Sequence, residues 1–152
     1  MHSKNEWGKL NKVIVGHAHN ATVPEIDISL RHINYADVKD ELTIPAGKYP
    51  QIVVDEANED LTTFVNFLEK EGVDVVRPDI TDCNYYNYCP RDSVIVYKDK
   101  AIATPMPLRA RRNEYQAYER HLENIHPYDI MRSDELYNPN CLGDKEVLAL
   151  TE

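Results

Sequence analysis

The side chain best placed to do chemistry is Asp92, within the run Tyr88-Cys89-Pro90-Arg91-Asp92-Ser93. The run closes a polar, tyrosine-rich stretch and leads directly into an apolar one. Its carboxylate therefore stands at the mouth of a strand, on scaffolding rigid enough to meet a ligand in fixed geometry. An ionised carboxylate there can grip a planar cation such as guanidinium through two parallel hydrogen bonds. Asp is also a common turn residue, and spacing alone is explained more simply by Asp92 capping a turn or pairing with Arg91.

Two arginines, Arg109 and Arg111, follow the turn Thr104-Pro105-Met106-Pro107. Forked hydrogen bonds from such a pair suit a substrate carboxylate, and a solvated basic edge paired with Glu114 or Glu119 is the bland alternative. Tyr85, Tyr86 and Tyr88 either line the entrance to a site or cover the strands behind them. His17 and His19 alternate at a strand end, as in some metal sites, but no carboxylate or thiol joins them before Glu25 and Asp27. A surface or loop histidine pair is the expectation. Cys83, Cys89 and Cys141 form an odd set of 3 that closes no disulfide framework, so reduced thiols in core or loop are expected.

The elements that must hold these residues show in the apolar periodicity. Val13-Ile14-Val15, ended by Gly16, reads as a short buried strand, with Trp7 ahead of it to cover one end of the core. From His17 to Gln51 no period is sustained, and three prolines (Pro24, Pro45, Pro50) interrupt a long irregular stretch. Ala57, Leu61, Phe64, Val65 and Leu68 then form one stripe of an amphipathic helix that begins near Asp55 and stops at Gly72. Val73 to Val76 is a strand, and Asp79 to Pro90 a loop. Ser93 to Tyr97 and Ala101 to Thr104 flank Lys98-Asp99-Lys100 as a hairpin. Tyr115, Tyr118, Leu122 and Ile125 repeat at helical spacing from about Arg112 to Pro127. Tyr128 to Met131 and Val147 to Leu150 have strand character. The order is nearly two copies of a strand pair, a helix and a closing strand, a unit that buries its core by stacking on further copies.

Composition narrows the field. A chain of 152 residues with 42% hydrophobic and 28% charged residues suits one globular domain, so residues 1–152 are read as part of a single core. A net charge of -9 repels phosphate backbones, and the basic run Arg109, Arg111, Arg112 is followed at once by Glu114. No nucleic-acid partner is expected. The first residues lack an apolar h-region, and no apolar run approaches the roughly 18 to 20 residues that span a bilayer. No membrane partner and a cytoplasmic location are the expectations.

Several of these segments also carry a resemblance. Asn5-Glu6-Trp7-Gly8-Lys9-Leu10 with Val13-Ile14-Val15-Gly16 resembles the opening of glycine amidinotransferase-like proteins. So do Cys89-Pro90-Arg91-Asp92 ahead of the hairpin, Thr104-Pro105-Met106-Pro107-Leu108-Arg109-Ala110-Arg111, and Glu114-Tyr115-Gln116-Ala117-Tyr118, in the same order and at compatible spacing.

The resemblance implies an α+β fold, the pentein α/β-propeller of five ββαβ units. About two units fit here, as the N-terminal portion of an apparently incomplete domain. It implies transfer of the amidino group of L-arginine to an amine acceptor such as glycine, through a covalent amidino-cysteine. Asp92 inherits the role of binding the guanidinium nitrogens, and the match raises Arg109 and Arg111 as ligands of a substrate carboxylate. The catalytic Asp, His and Cys of the family fall beyond residue 152, so no catalytic residue is expected within this chain, which alone would be inactive. The chemistry calls for no metal and no cofactor, its partners are small molecules, and a homo-oligomer is left open. The rival of the same fold is an arginine deiminase-like hydrolase giving citrulline. A non-catalytic binding or interaction module is the reading if 152 residues are the whole protein.

Overall fold

A computed structural model describes residues 3–5, 7–40, 43–82, 87–98, 100–104, 106, 108–122 and 130–131. Strand β1, Lys12–Ile14, pairs in parallel with β4, Asp74–Val76, so that Val13 lies opposite Val75. Parallel neighbours need a crossover, and helix α2, Gln51–Lys70, supplies it. Val54, Leu61, Val65 and Leu68 turn inward from α2, and Leu61, Val65 and Leu68 meet Val13, Val15, Val73 and Val75. Full burial of a side chain such as Val15, Leu68 or Val73 contributes roughly 1.5 to 3 kcal/mol, and the partly buried Leu61, Val65, Val13 and Val75 contribute less. The helix starts four residues before the expected Asp55, directly after Pro50, whose fixed φ suits a helix entrance. Its stop is the one expected: Gly72 takes φ 81°, the left-handed conformation that ends helices. Phe64 departs from the expected stripe and is half exposed, because it lies on the flank of the inward face beside Phe67.

The second unit is a complete strand pair, helix and closing strand. Strand β5, Val94–Tyr97, and β6, Lys100–Ala103, form the antiparallel hairpin anticipated from the sequence, with Lys98 at φ 55° in its turn. A 3-10 turn at Arg109–Arg111 and a 3-10 helix at Glu114–Leu122 follow. Strand β7, Ile130–Met131, returns parallel to β6. The spacing of Tyr115, Tyr118 and Leu122 fits 3.0 or 3.6 residues per turn, which is why the tighter winding was not foreseen. Tyr118, Leu122, Val94 and Ala101 form the core here, and Ile14 of β1 packs against it, joining the two units.

The stretch from His17 to Gln51 is more ordered than its sequence suggests. Strands β2, Thr22–Val23, and β3, Gly47–Lys48, pair across it, and helix α1, Ile28–Ile33, lies between them. Asp27 caps α1 by accepting the Leu30 N–H at 2.9 Å. Six residues are too few to reveal a helical period. Leu30 packs on Leu108 in a third cluster, pinning α1 to the segment that carries Arg109 and Arg111.

Trp7 does not cover the core: it is 86% exposed, in a turn where the Asn5 side chain accepts the Trp7 and Gly8 N–H groups. Among the described residues the strands form separate small sheets and no closed ring, and no helix is long and apolar enough to cross a membrane. The strand expected at Val147 to Leu150 lies outside the described residues, as do Cys83, Tyr85, Tyr86 and Cys141.

Candidate functional site

The site is assembled where the two units meet. Beyond β1 the chain runs past the backbone of Asn87 and Tyr88, and the His17 N–H donates to the Asn87 carbonyl at 3.1 Å. Gly16 makes this approach possible. A Cβ there would clash with the Asn87 carbonyl oxygen and the Tyr88 Cα, and would stand 2.5 Å from the Tyr88 carbonyl carbon. The junction fixes the residues that lead into a short helix, α3, at Pro90–Ser93, with Pro90 in its first turn.

Asp92 sits in α3 at the head of β5. Its backbone N–H donates to the Cys89 carbonyl at 3.1 Å, and its carbonyl accepts from the Thr104 hydroxyl at the exit of β6. The Thr104 N–H donates to the Ser93 carbonyl at 3.0 Å. Both ends of the hairpin thus hold Asp92 from behind. Its side chain is 47% exposed, and Oδ2 accepts Nη1 of Arg111 at 3.0 Å. Among the described residues no donor reaches Oδ1. The partner is therefore not Arg91, as local spacing suggested, but an arginine 19 residues further along.

Arg111 is the last residue of the 3-10 turn Arg109–Arg111, with its side chain only 7% exposed. Its Nε donates to both oxygens of Glu114, at 2.9 and 3.0 Å, and Nη2 to Oε2 at 2.8 Å. Glu114 is 2% exposed and also accepts the Ser93 hydroxyl at 2.8 Å. The pairing of Arg111 with Glu114 was anticipated, but as a solvated edge; it is a buried one. Burial pushes the Glu114 carboxyl above its ordinary value, and the Arg111 bonds oppose that rise.

Arg109 points elsewhere. Its backbone N–H donates to the Ser29 hydroxyl at 3.1 Å, and its Nε stands 4.0 Å from Asp27 Oδ2. It lines a cleft of about 410 Å3 with Glu25, Asp27, Ser29, Leu30 and Leu108. The structure therefore joins Arg111 to Asp92 and leaves Arg109 at a separate cleft, so the two arginines do not form one fork. Glu114, Ser93, Thr104 and Gly16 were not read as site residues from the sequence. The one local signal was the three-residue step from Arg111 to Glu114, which places both on one side of a 3-10 turn.

Cys89 is half-buried beside this cluster. Burial and then the Asp92 carboxylate push its thiol up, the direction that leaves less thiolate. Tyr88 is exposed.

His17 is buried, not on the surface as expected, with Nε2 3.4 Å from the Asp79 carbonyl and its ring 5.1 Å from that of His19. Among the described residues no three His, Cys, Asp or Glu side chains are grouped to hold a metal ion. Burial pushes the His17 imidazole below its ordinary 6.5, more than the Asp79 carbonyl raises it, and His19 and Arg77 push the same way. Below about pH 6.5 the unfolded chain takes up a proton here that the folded chain resists. Stability is then expected to fall as pH drops from about 6.5 toward the lowered folded value and to be level above it. Denaturant melts across this window should show that slope in the wild type and a flatter one in His17→Gln.

Comparison with known proteins gives consistent matches. Over 128 residues the chain is 38% identical to inosamine-phosphate amidinotransferase 1 of Streptomyces glaucescens, a match spanning 76% of this chain and 37% of that protein. It is 35% identical over 131 residues to the mitochondrial glycine amidinotransferase of Gallus gallus, spanning 78% of this chain and 31% of that one. The solved inosamine-phosphate amidinotransferase of Streptomyces griseus superposes with a TM-score of 0.75 at 33% identity, covering 86% of this chain and 42% of the other. An amidinotransferase of saxitoxin biosynthesis from Microseira wollei gives a TM-score of 0.68 at 25% identity, over 93% of this chain and 47% of that one. No family model matches. The chain thus spans between about a third and two fifths of the length of these curated relatives.

Proposed function

The chain belongs to the amidinotransferase family over the segment that aligns with its relatives, and on that premise we propose that it supplies the guanidinium-binding part of an arginine:amine amidinotransferase. In this reading the strand, helix and hairpin units are members of a pentein propeller. The full reaction uses an Asp, a His and a nucleophilic Cys from a longer polypeptide. A thiolate adds to the guanidino carbon of L-arginine, the C–N bond to ornithine breaks with a proton delivered to the leaving amine, and an amidino-cysteine results. The amine acceptor then attacks that carbon, loses a proton and releases the thiolate.

The observation that supports this reading is the state of Asp92. One carboxylate oxygen is fixed by Arg111, while the other is without a donor among the described residues on a side chain that is 47% exposed. A carboxylate held in this way fixes the plane of a bound guanidinium, so that a nucleophile can approach its carbon from above. Arg109, facing the cleft beside Asp27, is the proposed anchor for a substrate carboxylate, with Arg111 acting through Asp92.

Asp92→Asn keeps the shape and removes the charge. In the complete enzyme it should weaken L-arginine about 10- to 100-fold, the scale of a lost charge-assisted hydrogen bond, and lower turnover as well. Calorimetric titration with L-arginine and an amidino-transfer assay check both. Near-wild-type arginine binding by the variant would falsify the assignment. Citrulline formation in place of amidino transfer would move the chain to the hydrolase reading.

A further inference from the structure

We propose that Glu114 and Ser93, acting through Arg111, are positioning residues that orient Asp92 and leave its negative charge available to an incoming guanidinium. The inference rests on the reading of Asp92 as the guanidinium ligand. In this role Glu114 and Ser93 act at one remove from the substrate, through Arg111 and Asp92.

A half-exposed carboxylate on a four-residue helix has free rotation about its side-chain bonds, and losing that freedom on binding costs affinity. Arg111 removes it beforehand by holding Oδ2 at 3.0 Å. Arg111 alone would also spoil the site. An isolated Asp92–Arg111 pair is neutral and offers a second guanidinium little attraction, with the Arg111 charge close by to repel it.

Glu114 resolves this. Nearly buried, it takes Nε and Nη2 of Arg111, leaving Nη1 as the nitrogen directed at Asp92. Two carboxylates on one guanidinium leave the cluster with a single net negative charge. Asp92 is the exposed member, so that charge is presented to the solvent side. Ser93, adjacent to Asp92 in α3, donates to Glu114 Oε2 at 2.8 Å and locks the counter-charge to the same helix. Arg111 is then unsuited to be swapped for lysine, which cannot bond two carboxylates at fixed angles.

The test titrates L-arginine into wild type and the variants Glu114→Gln, Arg111→Lys, Ser93→Ala and Asp92→Asn. Titrations are run well below each variant's melting temperature, in the protein that carries the full activity. Glu114→Gln keeps most of the hydrogen bonding but neutralises the cluster. It should raise the dissociation constant for arginine about tenfold, and it should flatten the dependence of binding on salt. Arg111→Lys should give a similar loss, and Ser93→Ala, which removes one hydroxyl and leaves packing intact, about a two- to threefold loss. A merely structural role would lower the melting temperature without changing the salt dependence. If Asp92→Asn weakens arginine while the folded Ser93→Ala and Glu114→Gln bind as the wild type does, with wild-type salt dependence, positioning is overturned and the Asp92 reading stands. If Asp92→Asn itself binds normally, that reading falls and takes the positioning role with it.

Discussion

Replacing Gly16 by alanine is expected to destabilise the folded chain by about 3 kcal/mol or more, because backbone, not a yielding side chain, occupies the space a Cβ needs. The obstructing atoms are the Asn87 carbonyl oxygen and the Tyr88 Cα and carbonyl carbon. None can swing away as a side-chain tip can, so either the end of β1 or the segment entering α3 must shift. Gly16 is not among the glycines with positive φ, so the penalty is one of close approach alone. The displaced segment continues through Cys89 to Asp92, so with Asp92 as the proposed guanidinium ligand, arginine affinity should fall together with stability. Denaturant melts, paired with arginine titration of the fraction that remains folded, separate the two effects. A melting free energy within about 0.5 kcal/mol of wild type would show that the two segments do not press together in this way.

The second large effect is expected at Arg111. Truncation to alanine strands Glu114, 2% exposed, without the two guanidinium nitrogens whose three hydrogen bonds compensate its charge. Breaking a buried pair from one side costs about 3 to 5 kcal/mol. Removing Glu114 as well relieves that penalty, so the double replacement Arg111→Ala/Glu114→Ala should be more stable than Arg111→Ala alone. A double-mutant cycle from urea melts reads the coupling directly. Additive single-variant losses would mean that the two side chains are not energetically linked. Asp92→Ala, by contrast, leaves Arg111 compensated by Glu114 and should cost little stability.

The regular elements were legible where the apolar pattern ran long enough to show a period. Helix α2, strand β4 and the β5–β6 hairpin declared themselves that way, and Gly72 marked its stop. Helix α1 did not, since a side-chain cap from Asp27 makes a helix from six residues that no window of periodicity can resolve. The candidate site was half legible. Asp92 drew notice by its place at the head of an apolar run, but as a common turn residue it was raised as a ligand by the resemblance and not by its spacing. Its partner did not, because Arg91 is adjacent in sequence whereas Arg111 arrives through the turn after β6. Pairings of this kind are fixed by tertiary geometry, and sequence spacing ranks them wrongly. Trp7 misled for a related reason: a large aromatic next to a strand suggests a core residue, while its backbone is tied into a turn by Asn5.

That tryptophan is the only one in the chain, and it faces solvent. Its fluorescence should already be near that of a hydrated indole in the folded state, and it will change little as the core melts. Emission at this position would instead report whatever comes to cover the N-terminal turn, shifting to the blue on contact with another protein surface. Unfolding is better followed through the ten tyrosines, of which Tyr118 is fully enclosed.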